Sequence, residues 1–214
     1  MRFDLLILDC DGVLVDSEPI VNQVFVQMLS ERGFRLDLDE TLREFAGSSL
    51  SNRLTVVGER LGWAVPAEFT AAFEHRLAQQ LHQELRPVSG VADALTQLDG
   101  PRCVASNGSH ADMRLRLGLA QLLQHFEPHL FSASEVARAK PDPDLFAHAA
   151  EKMGVAAAQC AVVEDSLAGV QAGIRAGMRV FGYAALTDAR LLREAGAVVF
   201  DRMSELPNLV RAGP

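Results

Sequence analysis

Four residues near the start of the chain, Asp9-Cys10-Asp11-Gly12, constrain the fold more than any other stretch. They come after Phe3-Asp4-Leu5-Leu6-Ile7-Leu8, a near-continuous apolar run that suits a strand buried on both faces of a parallel sheet. A strand that stops in Asp-x-Asp-Gly delivers two carboxylates to a sheet edge. Ligand crevices of open α/β sheets lie at the carboxyl ends of strands. Alternation along an extended chain points Asp9 and Asp11 to the same side. Two like charges that close raise one pKa unless a cation lies between them. Mg²⁺ is held by a few carboxylates together with water and substrate phosphate. Gly12 lets the chain turn tightly behind the pair. The same four residues also read as an ordinary Asp/Gly turn, so the rest of the chain decides.

Beyond this turn the chain reads as helical for about seventy residues. Ser17 is the expected cap of a helix carrying Ile20, Val24, Phe25, Met28 and Leu29, closed by Gly33. Asp39 is the expected cap of a second helix, a third covers about 50–61, and Phe69, Phe73, Leu77 and Leu81 mark a fourth. From Pro87 onward strands and helices alternate. Ser89 would cap a helix, 102–106 is a strand, 110–123 a helix, 130–132 a short strand, and a helix from Asp142-Pro143 runs to Met153. Residues 161–163, 180–183 and 197–200 are further strands. This alternation implies a doubly wound parallel sheet of Rossmann-like α/β type. The expected division is a discontinuous α/β core, 1–15 with 86–214, and an inserted helical cap, 16–85.

Composition narrows the partners. With 20 Lys and Arg against 28 Asp and Glu, the net charge is −8 and no basic cluster occurs, so nucleic acid and anionic membranes are not expected partners. Cys10, Cys103 and Cys160 are an odd number in apolar runs, which reads as reduced core thiols in a cytoplasmic protein. No stretch reaches the length of a membrane span and no signal peptide is evident. Only two lysines occur, Lys140 and Lys152. A chain so biased to arginine singles out Lys140 as a compact point charge.

Three more polar clusters end strands. Ser106-Asn107-Gly108 offers a hydroxyl, a carboxamide and turn amides to a phosphate oxygen, or is a plain turn. In Lys140-Pro141-Asp142-Pro143, the prolines hold the ammonium where it can face a transferring phosphoryl group, or Lys140 is solvated before a helix. Glu164-Asp165-Ser166 places acids at the end of a buried strand, or merely caps the next helix. That helix carries Gly169, Gly173 and Gly177, a spacing that points to close helix–sheet packing. No H-E-x-x-H, G-x-x-x-x-G-K-[ST] or G-x-G-x-x-G occurs, which disfavours zinc, NTPase-loop and dinucleotide readings.

In combination and order, these motifs resemble the haloacid dehalogenase superfamily, in the branch of phosphatases with a helical cap inserted after the first strand. Asp9-x-Asp11-Gly12-x-Leu14-x-Asp16-Ser17, Ser106-Asn107-Gly108, Lys140-Pro141-Asp142 and Glu164-Asp165-Ser166 with Gly169 and Ala176-Gly177-Met178 match its four motifs. The resemblance implies that Asp9 is a nucleophile forming an aspartyl-phosphate. It makes Asp11 first an acid to the leaving oxygen and then a base toward water. It also implies Mg²⁺ on Asp9, the Asp11 backbone carbonyl and Asp165 with Glu164 beside it, and a phosphoryl group held by Ser106, Asn107 and Lys140.

Departures narrow the subgroup. The presence of Asp11 favours phosphoryl chemistry over dehalogenation. The cap resembles that of β-phosphoglucomutases around Phe45-Ala46-Gly47-Ser48, yet Val21 stands where those enzymes place a histidine and Leu50 where they place a phosphate-gripping arginine. Residues 16–85 contain no lysine, unlike phosphonatase caps. The expectation is therefore a Mg²⁺-dependent phosphatase of a small phosphorylated metabolite, a phosphosugar or phosphosugar acid such as 6-phosphogluconate. It would act as a monomer or weak homodimer. The alternatives are a β-phosphoglucomutase-like mutase and a phospho-acceptor signalling domain. Arg53 is the cap charge expected either to reach substrate or to be solvated on its helix.

Overall fold

The apolar runs become a six-stranded parallel sheet in a computed structural model that describes residues 3–45 and 50–212, the side chains of Arg43 and Ser51 excepted. The chain divides into two units, Met1–Asp16 with Arg86–Pro214, and Ser17–Leu85.

In the first unit, β1 (Leu5–Leu8) is wholly buried, as its unbroken apolar run requires. The unit continues with α5 (Val91–Gln97), β2 (Arg102–Ser106), α6 (His110–Leu119), β3 (Leu130–Ser132), α7 (Asp144–Lys152), β4 (Cys160–Glu164), α8 (Leu167–Arg175), β5 (Arg179–Tyr183), α9 (Ala189–Glu194), β6 (Val198–Phe200) and α10 (Leu206–Ala212). The strand order is β3-β2-β1-β4-β5-β6 and every pairing is parallel. Sequence order reverses direction at β1, the switch point where such sheets open a crevice. Leu8 is level with Val104 of β2 and Val163 of β4, and Asp9 N–H donates to Val163 O at 3.0 Å. One residue further along, Asp9 therefore lies level with Ala105 and Glu164. Cys103, Cys160 and Val162 join Leu145, Phe146, Val170 and Val180 in one apolar core. All three cysteines are buried and unpaired.

The second unit is α1 (Glu18–Ser30), α2 (Leu38–Phe45), α3 (Leu50–Leu61) and α4 (Glu68–Glu84). Phe25 meets Phe45 and Phe73 edge to face at 6.1 and 6.3 Å, and Trp63 meets Phe69 at 5.3 Å. The expected likeness at Ala46-Gly47-Ser48 lies outside the described residues.

Arg53 is not solvated. It is 1% exposed. It donates to Asn22 Oδ1 at 2.7 Å, to Glu18 Oε2 at 2.9 Å and to the Phe45 carbonyl at 2.9 Å. Its position explains this: Arg53 precedes Val57 by four residues and sits beside Leu54, both buried, so it lies in the inward stripe of α3.

Four local expectations are corrected. Ser17 has helical backbone angles and makes no side-chain cap bond to α1. Asp37, not Asp39, caps α2 by accepting Glu40 N–H at 2.9 Å, because Asp39 already lies inside the first turn. Gly90 rather than Ser89 precedes α5. The helix expected over 110–123 stops at Leu119, where Gln121 takes φ 58° and Leu122 N–H closes back on Leu117 O.

The chain passes between the units at two neighbouring points. Asp16 N–H donates to Arg86 O and Val88 N–H to Leu14 O, both at 3.0 Å.

Candidate active site

The carboxyl ends of β1, β2 and β4 bring together most of the residues singled out by sequence. Asp9 follows β1, Ser106 ends β2, Glu164 ends β4 with Asp165 next, and Lys140 comes from the segment before α7. Asp9, Ser106, Glu164 and Asp165 are all buried.

Lys140 is the hub. Its ammonium donates to Asp9 Oδ1 at 2.5 Å, Glu164 Oε1 at 2.6 Å and Ala105 O at 2.9 Å, and lies 4.7 Å from the centre of the Phe146 ring. Three hydrogens thus have three acceptors, and contact with a phosphoryl oxygen requires one of these bonds to be exchanged. Burial opposes the ammonium, but the carboxylates of Asp9 and Glu164 outweigh it and hold the Lys140 pKa above its ordinary value. Asp9 behaves oppositely. Burial pushes its carboxyl up to about 7; Lys140 works against this, and Glu164 and Asp11 add to it.

Glu164 is more heavily tied than a simple ligand. Its Oε2 accepts from Asp165 N–H and Ser166 N–H at 3.1 Å each and from Ser166 Oγ–H at 2.9 Å, while Oε1 takes Lys140. Ser166 in turn caps α8 by accepting Gly169 N–H at 3.0 Å. Capping and site-building are therefore the same contacts here. Asn107 Oδ1 accepts the Lys140 backbone N–H at 3.2 Å, and Ser106 Oγ accepts Gly108 N–H at 3.1 Å. Both residues thereby brace the loop and the lysine.

Two glycines leave room for acids. Gly12 has φ 77°, and a Cβ there would fall 2.0 Å from Asp165 Oδ2. A Cβ on Gly169 would fall 1.8 Å from Glu164 Oε1. The packing expected of the glycine stripe on α8 holds for Gly173, which abuts Val180 and Val162. Gly169 instead serves the site. Gly169→Ala is expected to displace the pinned Glu164 and lower turnover about 100-fold, measured by phosphate release. Gly173→Ala should cost stability while leaving turnover per folded molecule near normal.

The donor set suits a hard divalent cation. Asp9, Glu164 and Asp165 each place a carboxylate oxygen within 4.8 Å of the others, all buried. Buried oxygen ligands with no histidine or thiolate among them fit Mg²⁺ rather than a softer metal.

Sequence reasoning missed Arg116. It projects from α6 and pairs through Nη1 with Asp11 Oδ1. Arg116 sits three residues after Met113 and one before Leu117, both buried, so an arginine inside an apolar stripe was the available signal.

Comparison with known proteins agrees with this geometry. Residues 3–177 match the family of haloacid dehalogenase-like hydrolases. A 6-phosphogluconate phosphatase of Escherichia coli K12 is 35% identical over 99% of this chain and 96% of its own length. A hexitol phosphatase A of the same organism is 31% identical over 93% and 91%. Among solved structures, a haloacid dehalogenase-like protein of unknown function from Agrobacterium tumefaciens C58 superposes with a TM-score of 0.90 at 38% identity, covering 98% of each chain.

Proposed function

The chain belongs to the haloacid dehalogenase-like hydrolase family and is a phosphatase; on that footing we propose that it hydrolyses a phosphorylated sugar or sugar acid, 6-phosphogluconate foremost, through an aspartyl-phosphate on Asp9. The observation that carries the reading is the buried Asp9–Lys140–Glu164 triad at the strand ends, with Asp165 and Asp11 beside it.

The steps rest on the side chains. The Asp9 carboxylate attacks phosphorus, and the bond from phosphorus to the ester oxygen breaks. That oxygen takes a proton from Asp11. Water then attacks the phosphorus of the aspartyl-phosphate and gives its proton to Asp11, and the Asp9 carboxylate leaves with the electron pair. Lys140 offsets the charge on Asp9 and fixes its rotamer, and Ser106 and Asn107 line the neighbouring strand end. Asp9, Asp165 and the Asp11 carbonyl would hold Mg²⁺. When bound, the ion lowers the repulsion between a carboxylate and a phosphate dianion. Positioning and charge neutralisation account for most of the rate in such transfers.

The substrate reading rests on the names of the two Escherichia coli relatives, both phosphatases of sugar-derived monoesters. The expected result of a metabolite panel is phosphate release that is greatest for phosphorylated sugar acids and sugars, absent with EDTA and restored by Mg²⁺. Bisphosphate-dependent interconversion of sugar phosphates without net phosphate release would establish a mutase instead. A long-lived phosphorylated Asp9 without turnover would establish a signalling domain.

A further inference from the structure

We propose that Arg116 is a positioning residue that holds the Asp11 carboxylate ready to act as base when phosphate is released from Asp9. The inference rests on the roles of Asp9 and Asp11 given above.

Three observations carry it. First, Arg116 Nη1 pairs with Asp11 Oδ1 across 105 residues of sequence. Such a charge-assisted bond fixes a carboxylate's direction. Second, the placement carries a cost. The Arg116 side chain is 16% exposed, and its Nε is buried with no hydrogen-bond partner among the described residues. An apolar residue would fill that inward position of α6 without the cost. Arg114, two residues earlier, does what surface arginines ordinarily do and pairs with exposed Glu127. Third, α6 is anchored next to the site. It starts directly after the Ser106-Asn107-Gly108 loop, and Ser109 and Asp112 close a capping box at its first turn.

The two half-reactions ask opposite things of Asp11. Protonation of a poor leaving oxygen needs the acid form. Hydrolysis of the aspartyl-phosphate needs the carboxylate. In that step a water O–H bond breaks and its proton goes to Asp11. The water oxygen bonds to phosphorus, and the bond between phosphorus and the Asp9 oxygen breaks with its electrons returning to Asp9. Arg116 serves the second demand by fixing where the Asp11 carboxylate points.

The test uses the Mg²⁺-loaded full chain and 4-nitrophenyl phosphate, whose leaving group departs without protonation. In Arg116→Met, kcat is expected to fall about 10–100-fold, less than the ~10²–10⁴-fold that general-base assistance itself supplies because the base remains, while kcat/KM stays within about 3-fold. KM then falls with kcat. Rapid mixing should show a burst of nitrophenolate approaching one per enzyme, and intact mass should show phosphorylated Asp9. Arg116→Lys should recover part of kcat, and it carries the test alone if Arg116→Met does not fold. Asp11→Asn should give the same split, deeper. Equal losses in kcat and kcat/KM, or no loss in either, would make Arg116 a structural residue and overturn the inference, provided Asp11→Asn shows the split. If Asp11→Asn itself lacks the burst and the split, the reading of Asp11 as base falls, and the inference with it.

Discussion

Asp9→Asn is expected to abolish phosphate release, by at least about 10⁴-fold, and to do so without unfolding the protein. The carboxamide keeps the shape of the side chain but cannot attack phosphorus. Stability should move the other way from activity. Asp9 is a buried acid whose carboxyl rises from its ordinary 3.8 to about 7. A group that binds its proton more tightly when folded favours folding most at low pH. That contribution is lost as pH rises from about 4 through about 7. Without metal, the native protein should therefore lose thermal stability across that window, and Asp9→Asn should flatten the slope. Mg²⁺ added at pH 8 should raise the unfolding temperature of the native chain and do much less for the variant. Thermal unfolding across pH, with and without Mg²⁺, checks each point. Undiminished turnover in Asp9→Asn would remove the nucleophile assignment.

Arg53→Met is expected to destabilise the helical unit by about 3–5 kcal/mol. The guanidinium is 1% exposed, and it satisfies Glu18, Asn22 and the Phe45 carbonyl together. Its loss leaves the Glu18 carboxylate buried without a counter-charge and strips a donor from the last residue of α2. Asn22 still donates to Glu18 Oε2 at 3.1 Å, which offsets only part of this. The paired replacement Glu18→Leu with Arg53→Met removes both charges and should recover most of the loss, as apolar substitutes for buried ion pairs do. Urea unfolding of the single and double variants measures the difference. A single-variant cost below about 1 kcal/mol, the value of an exposed pair, would show that the network is solvated in solution.

The strands were legible because a parallel sheet is buried on both faces, so Leu5–Leu8 and Cys160–Glu164 read as apolar runs that end in acids. The same abruptness exposed Asp9, Ser106, Glu164 and Asp165 as strand-end groups. Cap residues were harder. Asp37 and Asp39 both precede an apolar repeat, and only the backbone angles decide which one reaches an N3 amide. The arginines were hardest. Arg116 and Arg53 each occupy an inward helical position, where their acidic partners lie 105 and 35 residues away in sequence. Spacing reveals that such an arginine is buried, but not which acid answers it. The sequence around Lys140 points to a phosphate contact; its three internal acceptors are a tertiary property that no local pattern encodes.

The crossing points of the helical unit carry an evolutionary consequence. Its chain leaves at Asp16 and returns at Arg86, where backbone bonds tie the departing and returning segments side by side. A graft that enters and exits through adjacent, already fastened positions leaves the host sheet's own ladder intact, and loop length adds only slowly to the entropy of closure. Helical modules of different length can thus be spliced in through these two fastened positions while the strands and their terminal acids are inherited unchanged.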